Sequence, residues 1–155
     1  MRADTVTPTE KKLEELRSLF PLEEGCTPRF NELLSALWEL KDPAAIRPIL
    51  DLAYDRCPLG GLMDDMLNSL EVYPDQEYVP VFLEALPSFL DRSPDCCEHE
   101  LRKILWSPGR LGALTESVAH LSPAQASALR VVLNRIDAAA LAQSKQALLQ
   151  LLRLP

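Results

Sequence analysis

Apolar side chains return every three or four positions along almost the whole chain, and no segment sustains the period-two alternation of a half-buried strand. That spacing predicts an all-α protein, because a helix turns once in about 3.6 residues and so gathers such positions on one face. A first helix is expected from about Pro8, carrying Leu13, Leu16, Leu19 and Phe20 and ending near Pro21. Thr27 as cap and Pro28 at the first helical position open a second, with Phe30, Leu33, Leu34, Leu37 and Trp38 on one side. Asp42 and Pro43 repeat that signature ahead of Ile46, Ile49, Leu50 and Ala53, and Pro58, Gly60 and Gly61 stop this third helix. A fourth holds Leu62, Met66, Leu67 and Leu70, and Asp75 caps a fifth with Val79, Phe82, Leu83 and Leu86. Ser93-Pro94, Gly109 and Ser122-Pro123 begin three more, and Asp137 breaks the chain before a last helix to Leu154. Eight or nine helices are expected, with kinks at Pro48, Pro80 and Pro87, where an internal proline removes a hydrogen bond.

Helices this short are marginal alone in water, so each must pack its stripe on a neighbour. A shift of 33 residues superposes Leu34 on Leu67, Leu37 on Leu70, Asp42 on Asp75, Ile46 on Val79, Ile49 on Phe82 and Leu50 on Leu83. A further shift of 34 sets Leu101 on Leu67 and Ile104 on Leu70, and the correspondence decays beyond Trp106. Helix pairs recurring at this period predict a short α-solenoid of HEAT-like antiparallel pairs, with residues 1–155 as a single helical-repeat domain.

Composition changes this picture little, apart from 13 prolines against 5 glycines. Charge changes it more. Within a net charge of −7, residues 42–100 hold 13 acids against 3 bases, whereas residues 101–155 hold 2 acids against 7 bases. An acidic block repels nucleic acid and steers a basic partner toward itself. The bases Arg102, Lys103, Arg110, Arg130, Arg135, Lys145 and Arg153 stand singly, without the aromatic interleaving of a nucleic-acid groove. No apolar leader or membrane-length apolar run occurs, which predicts a cytoplasmic protein that does not use a membrane. Its four cysteines are then expected as reduced thiols.

The segment SPDCCEHELRKILWSP looks most like chemistry. Adjacent helical residues diverge by about 100°, so Cys96 and Cys97 do not converge on one ion, and no C-x-x-C or H-E-x-x-H spacing supports a metal through Cys96 and His99. Cys97, Leu101, Ile104 and Leu105 instead form an apolar stripe. There is no G-x-S-x-G elbow, P-loop or G-x-G-x-x-G, and Asp64 and Asp65 diverge on neighbouring helical positions rather than flanking a substrate. The expectation is a protein without catalytic residues, metal or cofactor. Tyr54, Tyr73 and Tyr78, near the turns of the acidic block, are candidate contact residues.

From NELLSALWELKDPAAIRPILDL through YVPVFLEALPSFLDRSPDCCEHELRKILWSP, about residues 30–110, the chain resembles the immunity protein 30 family of bacterial polymorphic-toxin systems. The resemblance rests on a leucine-rich helix and on the acidic-proline cap before Ile46, Ile49 and Leu50. It rests also on the Leu86, Pro87 and Leu90 pattern read as a helix end, on Ser93-Pro94, and on Lys103-Ile104-Leu105. Lys103 and Trp106, with Cys96 and Cys97, depart from the family's pattern. The resemblance implies a small cytoplasmic, non-enzymatic inhibitor of interbacterial competition that binds and neutralises one cognate secreted toxin, such as a nuclease with a basic surface. The face carrying Asp51, Asp55, Asp64, Asp65 and Asp75, with Tyr54 and Trp38 as aromatic anchors, is then expected to bind that toxin. The competing expectation is a HEAT-like adaptor between proteins unrelated to toxins.

Overall fold

The computed structural model describes residues 5–153. The fold is all-α: among the described residues there are nine α-helices and no strand. They form two compact units, divided between Tyr73 and Pro74.

The first unit contains α1 (Pro8–Ser18), α2 (Thr27–Leu40), α3 (Ile46–Leu52) and α4 (Gly60–Asn68). The leucine stripe of α1 packs on α2 and α3, and α4 packs on α3. Leu16, Phe30, Leu33, Leu37, Ile46, Ile49, Leu50 and Met66 are essentially removed from solvent. The second unit contains α5 (Asp75–Arg92), α6 (Pro94–Trp106), α7 (Pro108–Ser117), α8 (Pro123–Arg135) and α9 (Ala142–Leu152). There α5 and α6 lie against each other and both touch α7 and α8. The end of the last helix expected at Leu154 lies outside the described residues.

Helix beginnings account for the proline excess. Pro8, Pro28, Pro94, Pro108 and Pro123 each occupy the first or second position of a helix, and Pro43 opens the short 3-10 turn before α3. At those positions the missing N–H has no acceptor within the helix and the fixed φ is already helical. Pro48 is the third residue of α3, still within the turn that needs no intrahelical donor. Pro80 and Pro87 differ, since both lie inside α5, which nonetheless continues from Asp75 to Arg92. Losing a backbone bond there costs about 3 kcal/mol, but each fully buried large apolar side chain contributes roughly 1.5–3 kcal/mol. With Tyr78, Val79, Phe82, Leu83, Ala85, Leu86 and Phe89 all buried, packing wins.

Several boundaries differ from expectation by local chemistry. Cys26, not Thr27, is the cap of α2, and Thr27 is its first residue. Gly60 and Gly61 do not end α3, which stops at Leu52; they start α4. Asp42 caps as expected, its carboxylate accepting from the Ala44 N–H at 3.0 Å, whereas Asp75 is the first residue of α5 rather than its cap. The Leu86-Pro87 pattern falls within α5, so the helix ends at Arg92. Every apolar pair superposed by the 33-residue shift is buried in both copies, and the division between the units falls inside the second copy, between α4 and α5.

α8 opens on a capping box, in which Ser122 Oγ accepts from the Gln125 N–H at 3.1 Å and Gln125 Oε1 accepts from the Ser122 N–H at 2.8 Å. Ser122→Ala is expected to cost about 1 kcal/mol in urea unfolding, the usual worth of such a cap. A loss below a few tenths would mean that α8 is held by packing alone.

Candidate functional site

Folding redistributes the charge that looks segregated along the chain. Residues 1–73 carry 14 acids and 8 bases, residues 74–155 carry 9 acids and 8 bases, so the net charges are −6 and −1. In the second unit the C-terminal bases meet the acids that precede them. Arg135 pairs with Asp95 at 2.7 Å and Glu98 at 3.4 Å, Arg102 with Glu98 at 3.3 Å, and Arg110 with Asp75 at 3.4 Å. The anionic surface therefore belongs chiefly to the first unit.

That unit has an open groove of about 500 Å³ between α2 and α4. From α2 come Asn31, Leu34, Ser35, Trp38 and Glu39; from α4 and the turn after it come Asp65 and Ser69. Asn31, Ser35 and Trp38 stand at i, i+4 and i+7, one continuous face of α2. Trp38 is 50% exposed and so does not belong to the buried leucine stripe with which its spacing groups it. Lys41, the left-handed cap of α2 (φ 48°), places its ammonium 5.7 Å from the centre of the Trp38 ring. Glu39 and Asp65 are the charged members of the lining, both exposed acids.

The other expected contact residues have varied surroundings. Asp64 is exposed on α4 beside Asp65. Asp51 is exposed on α3 and accepts from Arg47 Nε at 3.0 Å, while Asp55 is half-buried just beyond α3. Tyr54 is half-buried and works inside the unit: its ring meets Phe20 edge-on with centroids 6.0 Å apart, and its hydroxyl accepts from the Leu22 N–H at 3.2 Å. Burial first, then hydrogen bonding to Cys57, pushes that hydroxyl above the ordinary tyrosine value, against the Leu22 N–H. Tyr54→Phe is expected to cost about 1 kcal/mol, the worth of one intramolecular hydrogen bond, measurable by thermal unfolding. Tyr73 and Tyr78 are buried, so neither is a surface contact residue.

Asp75 lies in the second unit at the edge of a polar cluster that sequence spacing does not reveal. Glu100 is wholly buried, its Oε2 accepting from the Tyr78 hydroxyl at 2.5 Å and its Oε1 from Lys103 Nζ at 2.8 Å. The Arg110 guanidinium lies 3.9 Å from the centre of the Tyr78 ring while its Nε faces Asp75. Gly109 lets Asp75 come so close, because a Cβ there would overlap the Asp75 carboxylate. Burial, followed by the Glu100 charge, raises the Tyr78 hydroxyl well above the ordinary tyrosine value of 10.0, with Arg110 opposing. Such a buried, mutually satisfied cluster orders a core. Cys97 is buried in the α6 stripe, Cys96 is half-buried, and His99 is exposed.

Compared with known families, residues 15–114 match the profile described as Immunity protein 30. The chain belongs to the immunity protein 30 family. The family match runs from within α1 to the Leu114 turn of α7, so it includes both the α2–α4 groove and the buried cluster around Glu100, and it leaves α8 and α9 outside. No curated protein and no solved structure matches the chain. In this immunity protein 30 member the first unit carries the larger net negative charge and a half-exposed tryptophan. Among the described residues no helix is long and apolar enough to cross a membrane.

Proposed function

We propose that this chain binds and neutralises a cognate secreted bacterial toxin as a stoichiometric, non-catalytic inhibitor, in the cytoplasm of the cell that makes both. The observation that carries this reading is the family match over residues 15–114. The docking surface is that of the first unit around the α2–α4 groove, with Trp38 as anchor and Asp64 and Asp65 as the nearest anionic rim. Asp51 and Asp55 add to its field, and Tyr54 and Asp75 support their own units. A net charge of −6 on that unit suits a toxin with a basic surface, such as a nuclease whose cleft is built to hold phosphates.

The test is co-expression with a toxin whose gene adjoins this chain's own, the place where a cognate toxin is expected. Cells making both are expected to grow where cells making the toxin alone do not, and an inactivated toxin is expected to elute with this chain as a 1:1 complex. Absence of both protection and complex would reject the proposal.

A further inference from the structure

Resting on the toxin-binding reading, we infer that the α2–α4 groove receives an arginine side chain of the toxin, stacked on Trp38 and paired with Asp65. Three observations converge. The groove is open and of a size, about 500 Å³, that admits a side chain. Its charged lining is purely acidic, Glu39 from α2 and Asp65 from α4, which disfavours an acidic or phosphorylated visitor. Trp38 is half exposed and already holds a cation, the Lys41 ammonium 5.7 Å from its ring centre. An indole face attracts cations through its quadrupole, so Lys41 shows within one molecule the kind of group this surface accepts.

Arginine fits better than lysine because the groove offers a flat ring and a carboxylate together. A guanidinium is planar, stacks on aromatic rings and donates two parallel hydrogen bonds to one carboxylate, whereas an ammonium acts as a point charge. Ser35 and Asn31, on the same face of α2, supply acceptors for its remaining N–H groups. In this arrangement Lys41 is a competitor: its charge opposes the incoming cation and must leave the ring or share it.

The experiment measures binding of the full chain to the inactivated toxin encoded beside it. Trp38→Leu is expected to weaken binding about 100-fold, as for a buried aromatic anchor, and Asp65→Asn about 10-fold or more, as for one partner of a buried charge pair. Lys41→Gln should leave binding unchanged or tighten it by up to about 5-fold, since it removes a like charge from the cation's site. Circular dichroism checks that each variant stays folded, which their exposure favours. Replacing toxin arginines singly by lysine should then reveal one whose loss is about 10-fold against the wild-type chain and absent against Asp65→Asn.

Undiminished binding by both Trp38→Leu and Asp65→Asn would overturn the groove assignment and leave the toxin-binding reading standing. Weakening by Lys41→Gln would also overturn it, because the partner would then be presenting an anion, as would coupling of Asp65 to a lysine alone. Failure of the wild-type chain to bind the toxin would remove the toxin reading and this inference with it.

Discussion

Glu100→Ala is expected to lower the unfolding free energy of the second unit by about 3–5 kcal/mol, the range for breaking a buried charged pair. Glu100 is wholly buried and accepts from two donors, Tyr78 at 2.5 Å and Lys103 at 2.8 Å. Alanine would leave the buried Tyr78 hydroxyl without its acceptor, take from Lys103 a carboxylate in a site where its side chain is only 18% exposed, and open a void. Against a typical total of about 5–15 kcal/mol, that loss threatens folding at 37 °C. Glu100→Gln keeps the shape and one acceptor, so it should cost less, about 1–3 kcal/mol. Urea unfolding followed by circular dichroism at pH 7 reads both. A loss under 1 kcal/mol for alanine would mean that water or a neighbour replaces the carboxylate, and that the cluster does not hold α5, α6 and α7 together.

The same cluster sets a pH dependence. Because the Tyr78 hydroxyl is held well above 10.0, the unfolded chain gives up this proton first as pH rises. Tyr78 therefore contributes nothing to pH dependence near neutrality. Above about pH 10 the unfolded state binds fewer protons than the folded one, so stability falls with pH, at up to about 1.4 kcal/mol per unit for this one group. Tyr78→Phe should flatten that fall at a lower overall stability, and Tyr54, raised in the same direction, should account for part of what slope remains. An unchanged alkaline slope in Tyr78→Phe would show that the hydroxyl is not the group responsible.

Asp64→Lys combined with Asp65→Lys should have the largest effect on complex formation rate. The two changes bring the net charge of residues 1–73 from −6 to −2, on a helix that borders the groove and has no basic residue of its own. Charge complementarity acts mainly on encounter, so association with a basic toxin should slow by about 10–100-fold at low salt. The gap should close as salt rises, because at 0.1 M exposed charges are screened beyond about 10 Å. Both residues are exposed, so the fold should survive. An association rate and salt dependence equal to those of the unaltered chain would remove the anionic first unit from the account of binding, while leaving inhibition itself intact.

Within the sequence, the apolar period and the prolines at helix starts suffice to anticipate eight or nine helices, against nine among the described residues, though not all of their ends, because a stripe at three and four has one backbone period that buries it and a proline is favoured at a helix start. The apolar pairs related by the 33-residue shift are buried in both copies for that reason. Spacing cannot tell a stripe's edge from its centre, so it groups Trp38 with Phe30, Leu33 and Leu37, which are core, whereas Trp38, also expected as an anchor, is half in solvent. Which charges survive on the surface was decided only by tertiary packing. Bases from residues 101–135 return to acids up to 40 positions earlier, as Arg135 does to Asp95, and thereby cancel much of what looks like an acidic block. Likewise Glu100 and Arg110 look like solvent residues until α5, α6 and α7 close around Tyr78. Periodicity is a local property and survives in the string of letters; ion pairing and burial of polar groups depend on which distant segments meet, and that is a property of the folded chain alone.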